Sequence, residues 1–466
     1  MFRKRHDILS AGTWEPASEI VSGIAGPGKA ACYDDLVEVS EPLATSPDPA
    51  VYAPAARWWE FGALRHRDFR ILWLGMLLSS STIMFQWFTI GRLIENYFPQ
   101  ALGESFPILL MLGIAGLTRG LGMFTFSMIG GALADRHDRR LLAIANQSAG
   151  ICVAITFSLL IALDWIELWH VFVLLFAAAA TQTFDLPARQ ALIAQVVEPQ
   201  DLTNATALFA AAAQTSFALS PLFAGYFVDT LGLAGTYAAS IIGYAALLIA
   251  LLVMRPAGKP AEHPHQGMLE QMRTGIRHAM NDRAILGILA VSFTTSAIAM
   301  SVIINLSPYW ILRVLDVSPT TWGLLAAIWG TGAVMTSYFL SSRGSFRNKG
   351  RMFLGSALAF SVLFVLWGLT RSPLCFSVVQ FFMAACIAAN FISATAMIQE
   401  LTPDGVRGRV LSLFGLNQAI AMIFGVAVGA IAEAAGATVA VPIMGVVLVA
   451  AVVTLAAASP GLRHVH

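Results

Sequence analysis

From Phe69 onward the chain alternates long apolar runs with short polar breaks. Twelve runs are present, near 71–92, 106–130, 141–163, 171–197, 205–228, 236–254, 284–306, 320–340, 352–370, 374–398, 410–432 and 438–458. Each is about 19 to 27 residues long, enough at ~1.5 Å per residue to cross a hydrocarbon core of ~30 Å. The pattern predicts an all-α integral membrane protein of twelve transmembrane helices. Residues 1–60 show no sustained apolar period and carry Glu38, Glu41, Pro42, Pro47 and Asp48, so they read as a disordered cytoplasmic extension. A second polar stretch, 255–283, holds Pro256, Pro260 and Pro264 and separates six runs from six. It divides the chain into an N-terminal half, 61–254, and a C-terminal half, 284–460.

The halves echo each other. Gln195, Pro199, Gly225 and Gly232 recur as Gln399, Pro403, Gly429 and Gly436 at a constant offset of 204, and acidic Asp229 recurs as Glu433. Asp68, Ile71 and Leu72 recur as Asp282, Ile285 and Leu286 at an offset of 214. Two pseudo-repeated six-helix halves of the same orientation are expected, with a cavity between them near the bilayer midplane.

Composition fixes the solvent. With 57% hydrophobic and 12% charged residues and a mean hydropathy of +0.71, a chain of 466 residues has too little polar surface to be a water-soluble globule. Arg3, Lys4 and Arg5 are not followed by an apolar core, so the first span is expected to act as the insertion signal. Placing both termini in the cytoplasm leaves only Arg92, Arg313 and Arg371, of 28 Lys and Arg, in loops on the far side, with Arg119 and Arg189 inside helices. That asymmetry predicts the orientation. The four cysteines, Cys32, Cys152, Cys375 and Cys386, are too scattered for a disulfide framework or a metal site, and His263-Pro264-His265 reads as linker. No phosphate-binding loop, HExxH or GxSxG is present, so neither ATP drive nor an enzyme is expected, and no nucleic-acid partner, metal or cofactor.

Charges inside spans cost ~2.5 to 3.5 kcal/mol each and are functional candidates for that reason. Arg119 lies twelve residues before Gly131 and Asp185 twelve before Val197, which puts both about 18 Å from the same ends of their helices. Matched depth predicts a buried Arg119–Asp185 pair, whose disruption would cost roughly 3 to 5 kcal/mol; protonation of Asp185 would free Arg119 for an anionic substrate. A permanent structural pair, or a bridge from Asp185 to Arg189 at i, i+4 spacing, is the competing reading.

Gly131-Ala132-Leu133-Ala134-Asp135-Arg136-His137-Asp138-Arg139-Arg140, between two spans, resembles the signature loop between helices 2 and 3 of the major facilitator superfamily, with Asp138 where a Gly is usual. The resemblance implies the major facilitator fold. It also implies a conformational switch, with Gly131 and Arg136 in its loop, in which Asp135 meets the N-terminal end of helix 11, preceded here by Arg407 and Arg409, while Arg139 and Arg140 join a cytoplasmic charge network that locks the outward-facing state. The counterpart loop, Ser341 to Arg351, lacks the acidic residue. In that architecture helices 1, 4, 7 and 10 surround the cavity, which brings forward Gln86, Asn305 and Asn390. Ser220-Pro221-Leu222-Phe223-Ala224-Gly225 resembles an antiporter element of helix 5, with Ser220 and Ala224 replacing two glycines, while Phe176 stands about where many proton-coupled members carry Arg.

The phrases Leu64-Arg65-His66-Arg67-Asp68-Phe69-Arg70, Phe184-Asp185-Leu186-Pro187-Ala188-Arg189-Gln190 and Arg407-Gly408-Arg409-Val410 resemble the transmembrane secretion effector branch of that superfamily, which includes the enterobactin exporter. That branch implies a monomeric transporter of the cytoplasmic membrane, exporting a siderophore, drug or other small amphipathic metabolite by alternating access with the proton gradient as energy source. An importer or uniporter, and a non-transporting sensor or scaffold that uses the N-terminal extension, are the alternatives.

Overall fold

The computed structural model describes residues 62–103, 105–134, 139–198, 201–254, 276–342, 348–459 and 462. The expected N-terminal extension and most of the 255–283 linker lie outside the described residues. What is described is helical throughout, with no strand among the described residues. In lipid a backbone N–H has no water to turn to, so each span satisfies its own carbonyls as a helix.

In chain order the spans are α1 (Arg67–Leu102), α2 (Ile108–Ala134), α3 (Arg139–Ala162), α4 (Leu168–Val196), α5 (202–231), α6 (233–253), α7 (Arg283–Val314), α8 (Pro319–Ser342), α9 (Lys349–Leu369), α10 (Pro373–Leu401), α11 (Val406–Ala435) and α12 (Ala437–Ala458). Ten helices among the described residues are long and apolar enough to cross a membrane, against twelve expected. Two local features account for the difference. The α5–α6 turn is so tight that Leu202–Val253 reads as one helix, although Gly232 within it has φ +71°. In α4 the described side chains give an apolar stretch of Leu168–Thr183, shorter than a span, within a helix that runs on to Val196.

The repeat predicted from residue identities reappears in the backbone. Gly436, the offset-204 partner of Gly232, joins α11 to α12 and also has positive φ, +80°. A side chain there would be strained in the left-handed region, so glycine turns both helix pairs back within a single residue. In the N-terminal half α1 packs on α5 and α6, α3 on α6, and α2 on α4. In the C-terminal half α9 packs on α10 and α12, and α8 on α10. The halves meet along two long seams, α5 with α8 and α2 with α11.

The outer surface fits lipid. Leu74, Leu78, Phe223, Ile242 and Val446 are among the large apolar side chains left exposed, whereas Trp165 and Trp169 stand beside Glu167 at the α3–α4 turn, where amphipathic rings favour an interface. The opposite end of the bundle, which carries Arg67, Arg140 and Lys349, is called the basic end below, and the end with Gly232 and Gly436 the turn end.

Candidate functional site

A cavity of about 340 Å³ opens between the halves, within the range of small-molecule sites. The N-terminal half contributes Ile83, Met84 and Trp87 from α1 and Arg119 from α2. The C-terminal half contributes a polar face of α7 (Ser292, Thr295, Ser296), then Asn390 and Phe391 of α10, and Phe414, Asn417, Gln418 and Met422 of α11. The α7 polar face follows from spacing at i, i+3 and i+4, which puts three hydroxyls on one side of a helix. Alpha11 is interrupted at Leu416 and Phe424, so Asn417–Ile423 is a short segment between two others. Asn417 ties that break down: its Nδ2 donates to Phe414 O at 2.7 Å, and its Oδ1 accepts from Ser296 Oγ at 2.9 Å.

A narrow extension of about 30 Å³ continues toward the turn end between Gly91, Leu112, Gly116, Asn305 and Pro308. Arg119 lines both spaces, at their junction. Its Nη2 donates to Gln182 Oε1 on α4 at 3.0 Å, and its Nε is buried without a hydrogen-bond partner. The carboxylate expected to pair with Arg119 belongs to Asp185, whose side chain lies outside what is described; the described partner is Gln182, about one turn earlier on the same helix.

The other polar candidates separate by position. Asn390 lines the cavity and donates through Nδ2 to Phe353 O at 3.0 Å, leaving its carbonyl oxygen as an acceptor. Asn305 lines the extension and donates to Ser301 O and Ala421 O, bracing α7 against α11. Gln86 is buried inside the N-terminal half and donates to Tyr244 Oη at 3.3 Å. Arg189 is also buried within that half, where it donates to Met76 O, Ser79 Oγ and Ser80 Oγ and so ties α4 to α1. Ser292, Thr295, Ser296, Asn417 and Gln418 were not singled out from sequence, although Asn417-Gln418 is a polar pair in an apolar span.

Three polar contacts and a set of glycines close the turn end across the halves. Glu95, buried in a π-helical turn of α1 (Leu93–Tyr97), accepts from Arg92 and from Arg313, which sits in a matching π-helical turn of α7 (Trp310–Val314). Asp229 at the end of α5 accepts from Thr320 N at the start of α8, at 2.9 Å. Glu433 near the end of α11 accepts from Leu109 N at the start of α2, at 2.8 Å. The last two are related by the offset-204 repeat, and each neutralises an orphan N–H at a helix N-terminus. Ser220, Pro221 and Gly225 lie on this closure: a Cβ on Gly225 would overlap the Pro319 carbonyl, and one on Gly323 the Pro221 carbonyl. Phe88 stacks on Trp322 across the halves with ring centroids 3.8 Å apart.

At the basic end, Asp135 and Arg136 lie outside the described residues, and Gly131 and Arg139 are placed only as helix positions, in α2 and α3. Arg140 is placed in full. It donates to Leu251 O, Leu252 O and Met254 O, covering the carbonyls that the end of α6 leaves open. Arg407 and Arg409 stand half-buried in the first turns of the Asp404–Gly415 helix that opens α11.

The profile of a family described as transmembrane secretion effector matches residues 59–462. Macrolide efflux protein A of Streptococcus pyogenes is 22% identical over 373 residues, covering 78% of this chain and 88% of that protein. The enterobactin exporter of Shigella boydii is 26% identical over 313 residues, covering 65% of this chain and 72% of that protein. Among solved structures, a peptide transporter in complex with sulfate matches with a TM-score of 0.67 at 12% identity, covering 85% of this chain and 95% of that one. A D-xylose–proton symporter matches with a TM-score of 0.64 at 15% identity, covering 85% and 98%. At such identities the structural matches speak for the fold alone.

Proposed function

This chain belongs to the transmembrane secretion effector family of the major facilitator superfamily, and on that footing we propose that it exports a small amphipathic molecule, coupled to inward proton flow. It is a multi-pass membrane transporter of the inner membrane and not an enzyme. The relatives named above are efflux proteins, which supports the outward direction.

The observation that carries the reading is the central cavity, which is apolar over most of its wall, holds one guanidinium among the described lining residues, and is closed at the turn end by the Glu95, Asp229 and Glu433 contacts. A cavity sealed at one end is what alternating access requires of one of its two states. We place both termini and the Asp135 loop in the cytoplasm, so the turn end faces outward and the cavity loads from the cytoplasm. In the opposite state the Asp135 loop and Arg407 and Arg409 would close the basic end. The protein acts as a monomer without a cofactor, and protonation within the bundle supplies the drive.

The test is a comparison of intracellular and exported metabolites between a deletion strain and its complement, followed by uptake of the identified compound into inverted vesicles with and without an imposed pH gradient. Export with proton coupling predicts accumulation that rises when the vesicle interior is acidic. Equal uptake with and without the gradient would overturn the coupling, and accumulation only in right-side-out vesicles would make the protein an importer.

A further inference from the structure

The two poles of the cavity differ in chemistry, and both contain polar atoms that the protein itself leaves unpartnered. At the pole toward the turn end is Arg119, with Nε buried and unbonded and a single described hydrogen bond, through Nη2, to Gln182. At the pole toward the basic end is Ser292, whose Oγ is also buried without a partner, on the wall that Gln418 shares. Ser292 and Ile304, which lines both spaces with Arg119, are twelve residues apart on α7, or about 18 Å along its axis. Met84, Trp87, Phe391 and Phe414 belong to the same wall.

The Arg119 guanidinium is half-buried on an apolar wall with its Nε shielded and unbonded, so it is only partly hydrated, and a ligand oxygen that reaches its cavity side makes a charge-assisted hydrogen bond in a setting of lower dielectric than water. A cation in the same place would meet a like charge, and among the described lining residues no carboxylate offsets it. Ser292, by contrast, offers one hydroxyl and no charge, so it suits a neutral acceptor or donor.

We infer that the cargo is an elongated amphipathic anion, with its acidic group on Arg119, an apolar or aromatic body against Trp87 and Phe414, and a neutral polar group at Ser292. Arg119 is then the specificity-determining residue for charge. Uncharged molecules of the same shape bind the same wall more weakly, and cations are excluded. The inference rests on reading this cavity as the cargo site.

The test uses the purified full chain in lipid nanodiscs and three probes that share one aromatic body: 1-naphthaleneacetate, 1-naphthaleneacetamide and 1-naphthylmethylammonium. The acid should bind about ten-fold more tightly than the amide, and the cation most weakly. Arg119→Gln should bring the acid-to-amide ratio close to one, whereas Arg119→Lys should keep a smaller preference for the acid, since it retains the charge and loses the fork geometry. Equal binding of acid and amide by the unsubstituted chain, tighter binding of the cation, or an undiminished acid preference in Arg119→Gln would each overturn the inference. If Arg119→Gln does not fold, the probe ratios of the unsubstituted chain and of Arg119→Lys decide alone. A metabolite comparison with no difference, alongside an intact acid preference, would defeat export and leave this inference standing; export without acid preference would do the reverse.

Discussion

The two seams that join the halves are built alike at the turn end and unlike at the cavity. On each seam a carboxylate at the end of one helix accepts from the first turn of its partner: Asp229 from Thr320 on α5–α8, Glu433 from Leu109 on α11–α2. On each, a glycine four residues earlier lets the backbones touch, Gly225 against Pro319 and Gly429 against Leu109. Toward the bilayer centre they part. On the α5–α8 seam close packing continues inward from the closure at Gly323 and Pro221 to Gly330 against Ala218, and among the described residues neither helix lines the cavity. The α2–α11 seam is interrupted at Leu416 and Phe424 and supplies Arg119, Asn417, Gln418 and Met422. Closure is thus a shared inheritance of the repeat, and recognition is what one seam acquired by departing from it.

The largest effect is expected where closure leaves no room. Overpacking costs about 1 to 3 kcal/mol, and on Gly225 or Gly429 it falls on the closed state, in which the backbones touch. Gly225→Val and Gly429→Val should each shift the opening equilibrium at the turn end by roughly ten- to a hundred-fold. The measurement is the labelling rate, by a membrane-impermeant maleimide added from outside, of Leu112→Cys in the narrow extension, in a cysteine-free background. A response from only one of the two glycines would break the equivalence of the seams.

How much of this was legible in sequence depends on what a residue is asked to do. Gly232 and Gly436 stood out because a positive-φ turn is recorded in residue identity, and the same register already paired Asp229 with Glu433. The α5–α6 break was legible as well, since 205–228 and 236–254 are separate apolar runs, although in the structure one residue makes the turn. Depth along a helix places a side chain in one dimension only: it put Arg119 level with Asp185, whose side chain lies outside what is described, and it did not bring forward Gln182, the described neighbour. Gln86 and Arg189 drew notice as polar groups in lipid, yet their described bonds run to Tyr244 and to α1 inside one half. Hydroxyls such as Thr295 were illegible for the opposite reason. A Thr in a span ordinarily donates to the carbonyl four residues back, as Thr295 does to Val291, so its outward face gives no signal until a partner helix is placed beside it.

A smaller and sharper test separates the carboxylates from the glycines. Asp229→Asn and Glu433→Gln keep the shape of each contact and remove its charge, so each gives up only the ionic part of a helix cap, about 1 kcal/mol or less. Each variant should raise the Leu112→Cys labelling rate up to about five-fold. The seams are separate, so the double variant should approach the product of the two. An effect from one carboxylate alone would mean that the seams share geometry without sharing load.

The smallest expected effect bears on the cavity side of the comparison. Ser220 on the α5–α8 seam is buried with an unpartnered Oγ, and Asn417 on α11 holds two hydrogen bonds at a helix break. Removing a desolvated hydroxyl that bonds to nothing costs no hydrogen bond, so Ser220→Ala should leave transport unchanged and thermal stability equal or slightly higher. Asn417→Ala releases Ser296 and the Phe414 carbonyl together, and should weaken binding of 1-naphthaleneacetate by about three-fold. If Ser220→Ala weakened that binding as much as Asn417→Ala, the α5–α8 seam would have to contribute to recognition after all, and the division between a closing seam and a recognising seam would fail at its quietest position.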